Sequence, residues 1–253
     1  MHLESSFIQI PGIGAKTERT LWQSGYTDWL SDVSDAPIHR TARDNIESFA
    51  SEAAEHLDQS NVHYFDERLP THASWRLAET FLPSATAIDI ETTGLDPTQA
   101  VVTTVSFHGP RGTRTLVRDR DLTLRNLHEE FRDIDLLLSF NGARFDLPFL
   151  AEHFDIQPTL PHLDLMYPCR RVGLTGGLKA IEQTVGISRD QPDIDGRQAI
   201  SLWHQAEQGD ETALESLISY NQEDTRTLLP LLETVIERLN EQEYYPYIKE
   251  RTE

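Results

Sequence analysis

The sequence predicts an α/β protein: a mixed sheet flanked by helices, preceded by a small all-helical unit. Three observations predict it. The first 60 or so residues carry helix-compatible spacing. From about residue 62 the pattern changes to short apolar and β-branched runs followed by helices. Beyond Asn141 helices dominate.

In chain order, residues 16–24 and 41–58 have helical spacing, accompanied by the glycine turn Ile10-Pro11-Gly12-Ile13-Gly14. The polar stretch Asp58-Gln59-Ser60-Asn61 is the linker candidate, giving expected domains at 1–60 and 62–240 and a C-terminal tail at 241–253. Residues 85–91 form a β run that ends in the turn Thr92-Thr93-Gly94-Leu95-Asp96-Pro97. Residues 101–108 are β-branched and make the second strand. Residues 113–117 make the third, entered through Gly109-Pro110-Arg111-Gly112, which suits a hairpin. A helix follows at 122–131. Residues 135–140 read as a buried strand entered and left by helices, as in a parallel crossover. Helices are expected at 145–154, 164–171, 177–186, 196–208 and 211–239, with Pro230 kinking or dividing the last. There is no internal repeat and no low-complexity segment.

Composition bounds the function. The chain is long enough, at 253 residues and 38% apolar, to bury a real core. No stretch approaches the roughly 20 apolar residues that cross a bilayer. Met1-His2-Leu3-Glu4-Ser5-Ser6 has neither the basic start nor the apolar run of a signal peptide. Cys169 is alone, so no internal disulfide is possible. These features point to a soluble cytoplasmic protein with no membrane partner. Lys and Arg total 22 against 42 Asp and Glu, a net charge of −20. An ordinary nucleic-acid binder shows a basic field, so the charge argues against one. Lysine occurs only at Lys16, Lys179 and Lys249, while arginine supplies the other cations. Acidic, lysine-poor, threonine-rich composition resembles that of cytosolic proteins from salt-accumulating archaea. At molar salt the Debye length falls to roughly 3 Å, and the net field hardly reaches a substrate. A halophilic source and a solvated acidic surface without functional meaning are the two readings.

Three short segments carry chemistry. Asp89 and Glu91 flank Ile90, and residues two apart in a strand face the same way. Two adjacent carboxylates repel, and a hard divalent cation such as Mg²⁺ or Mn²⁺ removes the conflict. Taken alone, such a pair is more often solvated than catalytic. Asn141-Gly142-Ala143-Arg144-Phe145-Asp146 follows the buried strand and opens a helix. Asp146 is either a ligand or an N-cap, and Pro148 at an early helical position suits the cap. Tyr220 and Asp224 are four apart on a helix and share a face. Singly each is ordinary; their joint order is not.

In that order the segments resemble the DEDD superfamily of exonucleases, in the subclass with tyrosine in the third motif, to which polymerase proofreading domains and ribonuclease D are similar. The span from about Tyr64 to Asn240 is closer still to YprB-type ribonuclease H-like domains. The likeness is carried by the run from Ala85 to Leu95, Ser139 to Phe149, Leu178-Lys179-Ala180-Ile181-Glu182 and Tyr220 to Asp224. Three hairpin strands followed by helix, strand and helices is also the order of the ribonuclease H-like fold. The resemblance implies that Asp89, Glu91, Asp146 and Asp224 hold two divalent cations, Mg²⁺ or Mn²⁺, with Asp89 bridging them. It implies two-metal hydrolysis of phosphodiester bonds, from the 3′ end of a single strand; the alternatives are a ribonuclease or endonuclease of the same fold, or a non-catalytic DNA-binding module. Tyr220 would orient the attacking water; a phenol with pKa near 10 is a poor base at neutral pH.

Neighbouring residues are more ambiguous. Asn141 reaches the site or ends its strand, and Phe145 reads as core. Asp164 reads as an N-cap, with a near-site carboxylate as the alternative. Lys179 follows Thr175-Gly176-Gly177-Leu178 at a helix start, where N–H groups and an ammonium can meet phosphate. Thr92, Asn141 and Lys179 are the nucleic-acid contacts expected here. Arg170 and Arg171 more often pair with acids in so acidic a chain. His39, His56, His153, His162 and His204 lack zinc spacing, and Trp22, Trp29, Trp75 and Trp203 read as packing residues.

The segment from Ile10 to Thr17 resembles the hairpin of a helix–hairpin–helix element. Gly12 and Gly14 would let the backbone approach a phosphate, the following helix offers free N–H groups, and Lys16 adds charge. Leu21, Gly25-Tyr26 and Trp29-Leu30 continue that element's hydrophobic framework. Such contacts ignore sequence; the resemblance to a helix–hairpin–helix element favours DNA over RNA as the partner. Glycines that only pack are the alternative.

Overall fold

Helical structure continues well past the polar stretch at 58–61. In the computed structural model, which describes residues 1–189 and 194–248, helices α1 (Ala15–Gln23), α2 (Arg40–Asp58), α3 (Val62–Asp66) and α4 (Leu77–Phe81) precede any strand. Asn61 is no linker residue. Its side chain accepts the Tyr64 amide at 3.2 Å and so caps α3. Val62, Phe65, Trp75, Leu77 and Phe81 are buried behind it. Two compact units result, Met1–Pro83 together with Glu233–Glu253, and Ser84–Leu232. The division thus falls at residue 84 rather than at about 61. The first unit is pinned by a buried ion pair, Arg76 to Glu18, with contacts of 2.7 and 3.1 Å. Glu18 also accepts the Phe7 and Ile8 amides. Tyr244 packs edge-on against Trp22, with ring centroids 5.1 Å apart.

The second unit is built on β1 (Ala85–Thr92). It pairs antiparallel with β2 (Val102–Gly109), which pairs antiparallel with β3 (Gly112–Val117). After α5 (Leu124–Phe131), capped by Thr123, the chain returns as β4 (Leu136–Ser139), parallel to β1. All four β4 residues are buried, as expected of a strand covered on both faces. After α6 (Asp146–Phe154) comes β5 (His162–Asp164), parallel to β4, where the sequence suggested only a helix start. The sheet order among the described residues is β3-β2-β1-β4-β5. Period-two alternation sends Ile88 and Ile90 into a core with Val105, Phe107, Leu127 and Phe149. Asp89 and Glu91 therefore face the other side.

That other side is crossed by α10 (Glu211–Arg226), after α7 (Met166–Arg171), α8 (Leu178–Val185) and α9 (Gly196–Glu207). Hydrogen bonds from α10 set its position on the sheet: Gln222 donates to Thr115 at 3.0 Å and Arg226 to Thr113 at 3.2 Å. The segment expected at 211–239 is two helices, with α11 (Leu228–Glu243) beginning two residues before Pro230. Proline is tolerated there because first-turn amides have no helical partner. The expected tail at 241–253 is helical as far as α12 (Tyr245–Ile248); residues 249–253 lie outside the described residues. Among the described residues no helix is long and apolar enough to cross a membrane.

The turn after β4 brings the chain closest to itself. A Cβ on Gly142 would stand 2.4 Å from Ser139 Oγ and 2.6 Å from Ser139 Cβ. Ser139 cannot turn away freely, because its hydroxyl is bonded to His162 Nε2 at 2.7 Å. Gly142→Ala is expected to cost about 1–3 kcal/mol of stability by overpacking, read from urea-unfolding midpoints. Gly196→Ala, where among the described residues no atom beyond its chain neighbours and its own helix backbone lies within 4 Å of the added carbon, should stay within about 0.5 kcal/mol.

Candidate active site

The alternation of β1 and the seating of α10 on the sheet bring three carboxylates together. One oxygen each from Asp89, Glu91 and Asp224 lies within 4.8 Å of the others. Asp89 and Glu91 are half-buried, and Asp224 is 7% exposed. Asp146 arrives from the start of α6 and is buried too, but it stands outside that tight set. Asp146 is not the N-cap of α6. Phe145 holds the N-cap position, and Asp146 turns instead to β1, where Oδ1 accepts the Ile90 amide at 3.1 Å. Its carboxylate is thereby tied to the backbone between Asp89 and Glu91.

The loop that delivers Asp146 is clamped by Asp164. Oδ1 of Asp164 accepts the Asn141 and Met166 amides at 2.7 and 3.1 Å, and Oδ2 accepts Ala143 at 3.2 Å. The N-cap expectation for Asp164 is thus not met: Leu165 holds the N-cap position of α7, and Asp164 ties the loop after β4 to β5. Asn141 takes φ +67°, the left-handed conformation that asparagine tolerates, and turns the chain at the end of β4. The Thr92 hydroxyl donates to the Gly94 carbonyl at 2.6 Å, folding the turn after β1.

Tyr220 lies one helical turn from Asp224 and is 8% exposed. The Lys179 ammonium sits 4.7 Å from its ring centroid. Two further residues escaped the sequence reading. Asn221, fully buried, donates to Asp89 Oδ2 at 2.6 Å while its carbonyl accepts the Thr104 hydroxyl at 2.9 Å. Arg189 places Nη1 2.5 Å from Asp224 Oδ1. A hint existed for Asn221, which adjoins Tyr220 on the face of α10 that meets the strands. Arg189 had none, since its neighbours in sequence follow no helical or strand pattern.

Crowding dominates the electrostatics. Burial first, then the charges of Asp224, Asp146 and Glu91, hold the Asp89 carboxyl well above its ordinary range, against the Asn221 hydrogen bond. Burial and the charges of Asp224 and Asp146 push Glu91 up to about 8, with Lys179 opposing. Asp146 is pushed up to about 7, mainly by burial, against backbone hydrogen bonds. Asp224 is raised by burial and lowered by Arg189. The Tyr220 phenol is raised by burial and by the charges of Asp224, Glu91 and Asp89. Buried, mutually repelling carboxylate oxygens at this spacing are a donor set that fits a hard divalent cation.

The N-terminal candidates lie in the other unit. Gly12 has φ +83°, and Gly14 is the N-cap of α1. Lys16 is exposed on the first turn of that helix. What precedes the turn is a short 3₁₀ segment, Leu3–Ser5, rather than an α-helix. Gly12, Lys16 and Thr17 line a cleft of about 530 Å³ with Pro37 and His39, which precede α2, and Ala42 in its first turn.

The model of the RNase_H superfamily matches residues 87–236. The chain belongs to that superfamily. The match spans most of the second unit and every strand from β2 to β5. Among solved structures, the family B DNA polymerase from the hyperthermophilic archaeon Pyrobaculum calidifontis is similar in fold, at 18% identity and a TM-score of 0.51. That likeness covers 60% of this chain and 24% of the polymerase. Brucella melitensis NrnC bound to pGG is 23% identical, with a TM-score of 0.44, over 67% of this chain and 82% of NrnC. The same NrnC with bound Mg²⁺ gives 23% identity and 0.44 over 68% and 81%. No curated protein matches the chain. The ribonuclease H-like fold expected from the sequence is the fold observed: a mixed sheet flanked by helices, bearing an acidic cluster able to hold a metal.

The crowded carboxylates make stability depend on pH. Unfolded carboxyls titrate near 4, whereas Glu91 titrates at about 8 and Asp146 at about 7 in the folded chain. Between those values the folded state holds protons that the unfolded state has released, so stability falls as pH rises. In chelator-treated buffer the Tm at pH 8 is expected below that at pH 6, and Mn²⁺ should restore it most at pH 8. A Tm that climbs from pH 6 to 8 without added cation would contradict this account.

Proposed function

We propose that the protein is a divalent-metal-dependent nuclease that removes nucleotides from the 3′ end of DNA. The observation that carries the reading is the meeting of Asp89, Glu91 and Asp224 oxygens within 4.8 Å, with Tyr220 one turn from Asp224. Asp89, Glu91, Asp146 and Asp224 would hold two cations, Mg²⁺ or Mn²⁺. When bound, such ions acidify water and offset the charge gathering on phosphate. Asn221 keeps Asp89 turned toward the cluster, and the Ile90 amide does the same for Asp146. The Tyr220 phenol stays protonated at neutral pH, since burial and then the neighbouring carboxylates raise its pKa. It therefore orients the attacking water by donating a hydrogen bond and does not abstract a proton. Lys179, beside the Tyr220 ring, presents a charge for phosphate; Thr92 and Asn141 complete the proposed contacts. The turn carrying Gly12 and Gly14, with Lys16 beside it, grips the DNA backbone without regard to sequence. We read the net charge of −20 as adaptation to high salt, where it no longer repels the substrate.

The test is a high-salt assay on 3′- and 5′-labelled DNA and RNA with Mg²⁺ or Mn²⁺. Ladders should shorten from the 3′ end of DNA, and Asp89→Ala should abolish them. Tyr220→Phe should lower kcat by about 10–100-fold through misplaced water and leave Mn²⁺ binding unchanged. Internal cuts would replace the exonuclease with an endonuclease, and full activity in Asp224→Ala would remove the assigned site.

The N-terminal contact has its own measurement. Lys16→Glu is expected to weaken DNA binding in fluorescence anisotropy and to reduce the salt slope by about one. Equal affinity would detach the N-terminal unit from DNA binding.

A further inference from the structure

One buried carboxylate near the site has no part in the chemistry above. Glu182, on α8, is 1% exposed. Both its oxygens are engaged by Arg189, Nε to Oε2 at 2.6 Å and Nη2 to Oε1 at 2.9 Å. Two-point pairing of this kind fixes the plane of the guanidinium. It leaves Nη1 directed at Asp224, 2.5 Å from Oδ1. The two form a short ion pair, and the guanidinium opposes the upward pull of burial on the Asp224 carboxyl.

The partners of the other carboxylates differ in kind. Asp89 is met by the amide of Asn221 and Asp146 by a backbone N–H. Those neutral donors would leave the opposite oxygen of each carboxylate open to a cation. A guanidinium does not coexist so readily. It carries a full charge at any working pH, and a divalent ion on the same carboxylate would face it across a few ångströms of low-dielectric interior.

We propose that Arg189, tethered by Glu182, is the built-in counter-cation of Asp224 and gives up that carboxylate when a divalent cation binds. Nη1 leaves Oδ1, while Nε and Nη2 stay on Glu182. The exchange rests on the reading of Asp224 as a metal ligand. It makes Arg189 a positioning residue that sets the metal affinity, with Glu182 setting how readily the guanidinium is released.

The test is Mn²⁺ binding to the full chain, followed by the electron paramagnetic resonance signal of free Mn²⁺, with no substrate present and folding checked by circular dichroism. Arg189→Gln should bind Mn²⁺ about tenfold more tightly, since a like charge has gone. Glu182→Gln should bind several-fold more weakly, because the guanidinium then has one carboxylate instead of two. A mere structural brace predicts weaker binding in both. The crystal structure with Mn²⁺ should show Asp224 on the ion and Arg189 on Glu182. Arg189→Gln that binds no tighter, or a loaded structure with Nη1 still against Oδ1, overturns the exchange. If Arg189→Gln does not fold, unchanged or tighter binding by Glu182→Gln overturns it instead. Mn²⁺ binding with these shifts in a protein that cuts nothing would leave the exchange standing and remove the nuclease. A wild-type protein that binds no Mn²⁺ removes both.

Discussion

Four carboxylates crowded into one small, poorly solvated volume repel one another, and the second unit is organised around relieving that repulsion. Each of the four receives a different partial remedy. Asp89 takes a side-chain amide, Asp146 a backbone N–H from β1, Asp224 a guanidinium, and Glu91 the more distant field of Lys179. None of these neutralises the set. The carboxyls are still held above their ordinary range, so the cluster remains short of positive charge. This residual deficit is the physical basis for reading the cluster as a cation site. It also explains why the surrounding elements are so firmly registered: α10 is hydrogen-bonded to β2 and β3, and the loop after β4 is clamped from β5.

How much of this was legible beforehand depended on the range of the interaction. Strands β1 to β4 follow from local alternation and β-branched runs, and their expected bounds agree with the observed ones to a residue or two. The pairing of Asp89 with Glu91 follows from the same period of two, and that of Tyr220 with Asp224 from the period of a helix. Strand β5 was missed because three residues are too few to show alternation; its identity comes from pairing with β4, not from its own sequence. Asp146 was ambiguous for a related reason. A carboxylate at a helix start looks like a cap until the strand amide that captures it is known.

The unit boundary shows the same limit. The stretch at 58–61 has the polarity of a linker, yet Asn61 turns out to cap a helix whose apolar residues are buried. Polarity marks solvent contact, and a helix cap meets solvent as readily as a linker does. Arg189 was invisible for the opposite reason. Its meaning lies in Glu182 and Asp224, one close in sequence and one far, and no periodicity links all three.

The hydrogen bond from Asn221 to Asp89 has a use beyond holding a side chain still. An amide can present its NH₂ to a carboxylate only while that carboxylate keeps an unprotonated oxygen turned toward it, and the Thr104 hydroxyl can serve either orientation of the amide. Asn221 is sealed from solvent, so its two amide protons exchange slowly with water. Their nuclear magnetic resonance frequencies thus become a built-in gauge of charge on Asp89, readable in the intact protein without altering any of the four carboxylates.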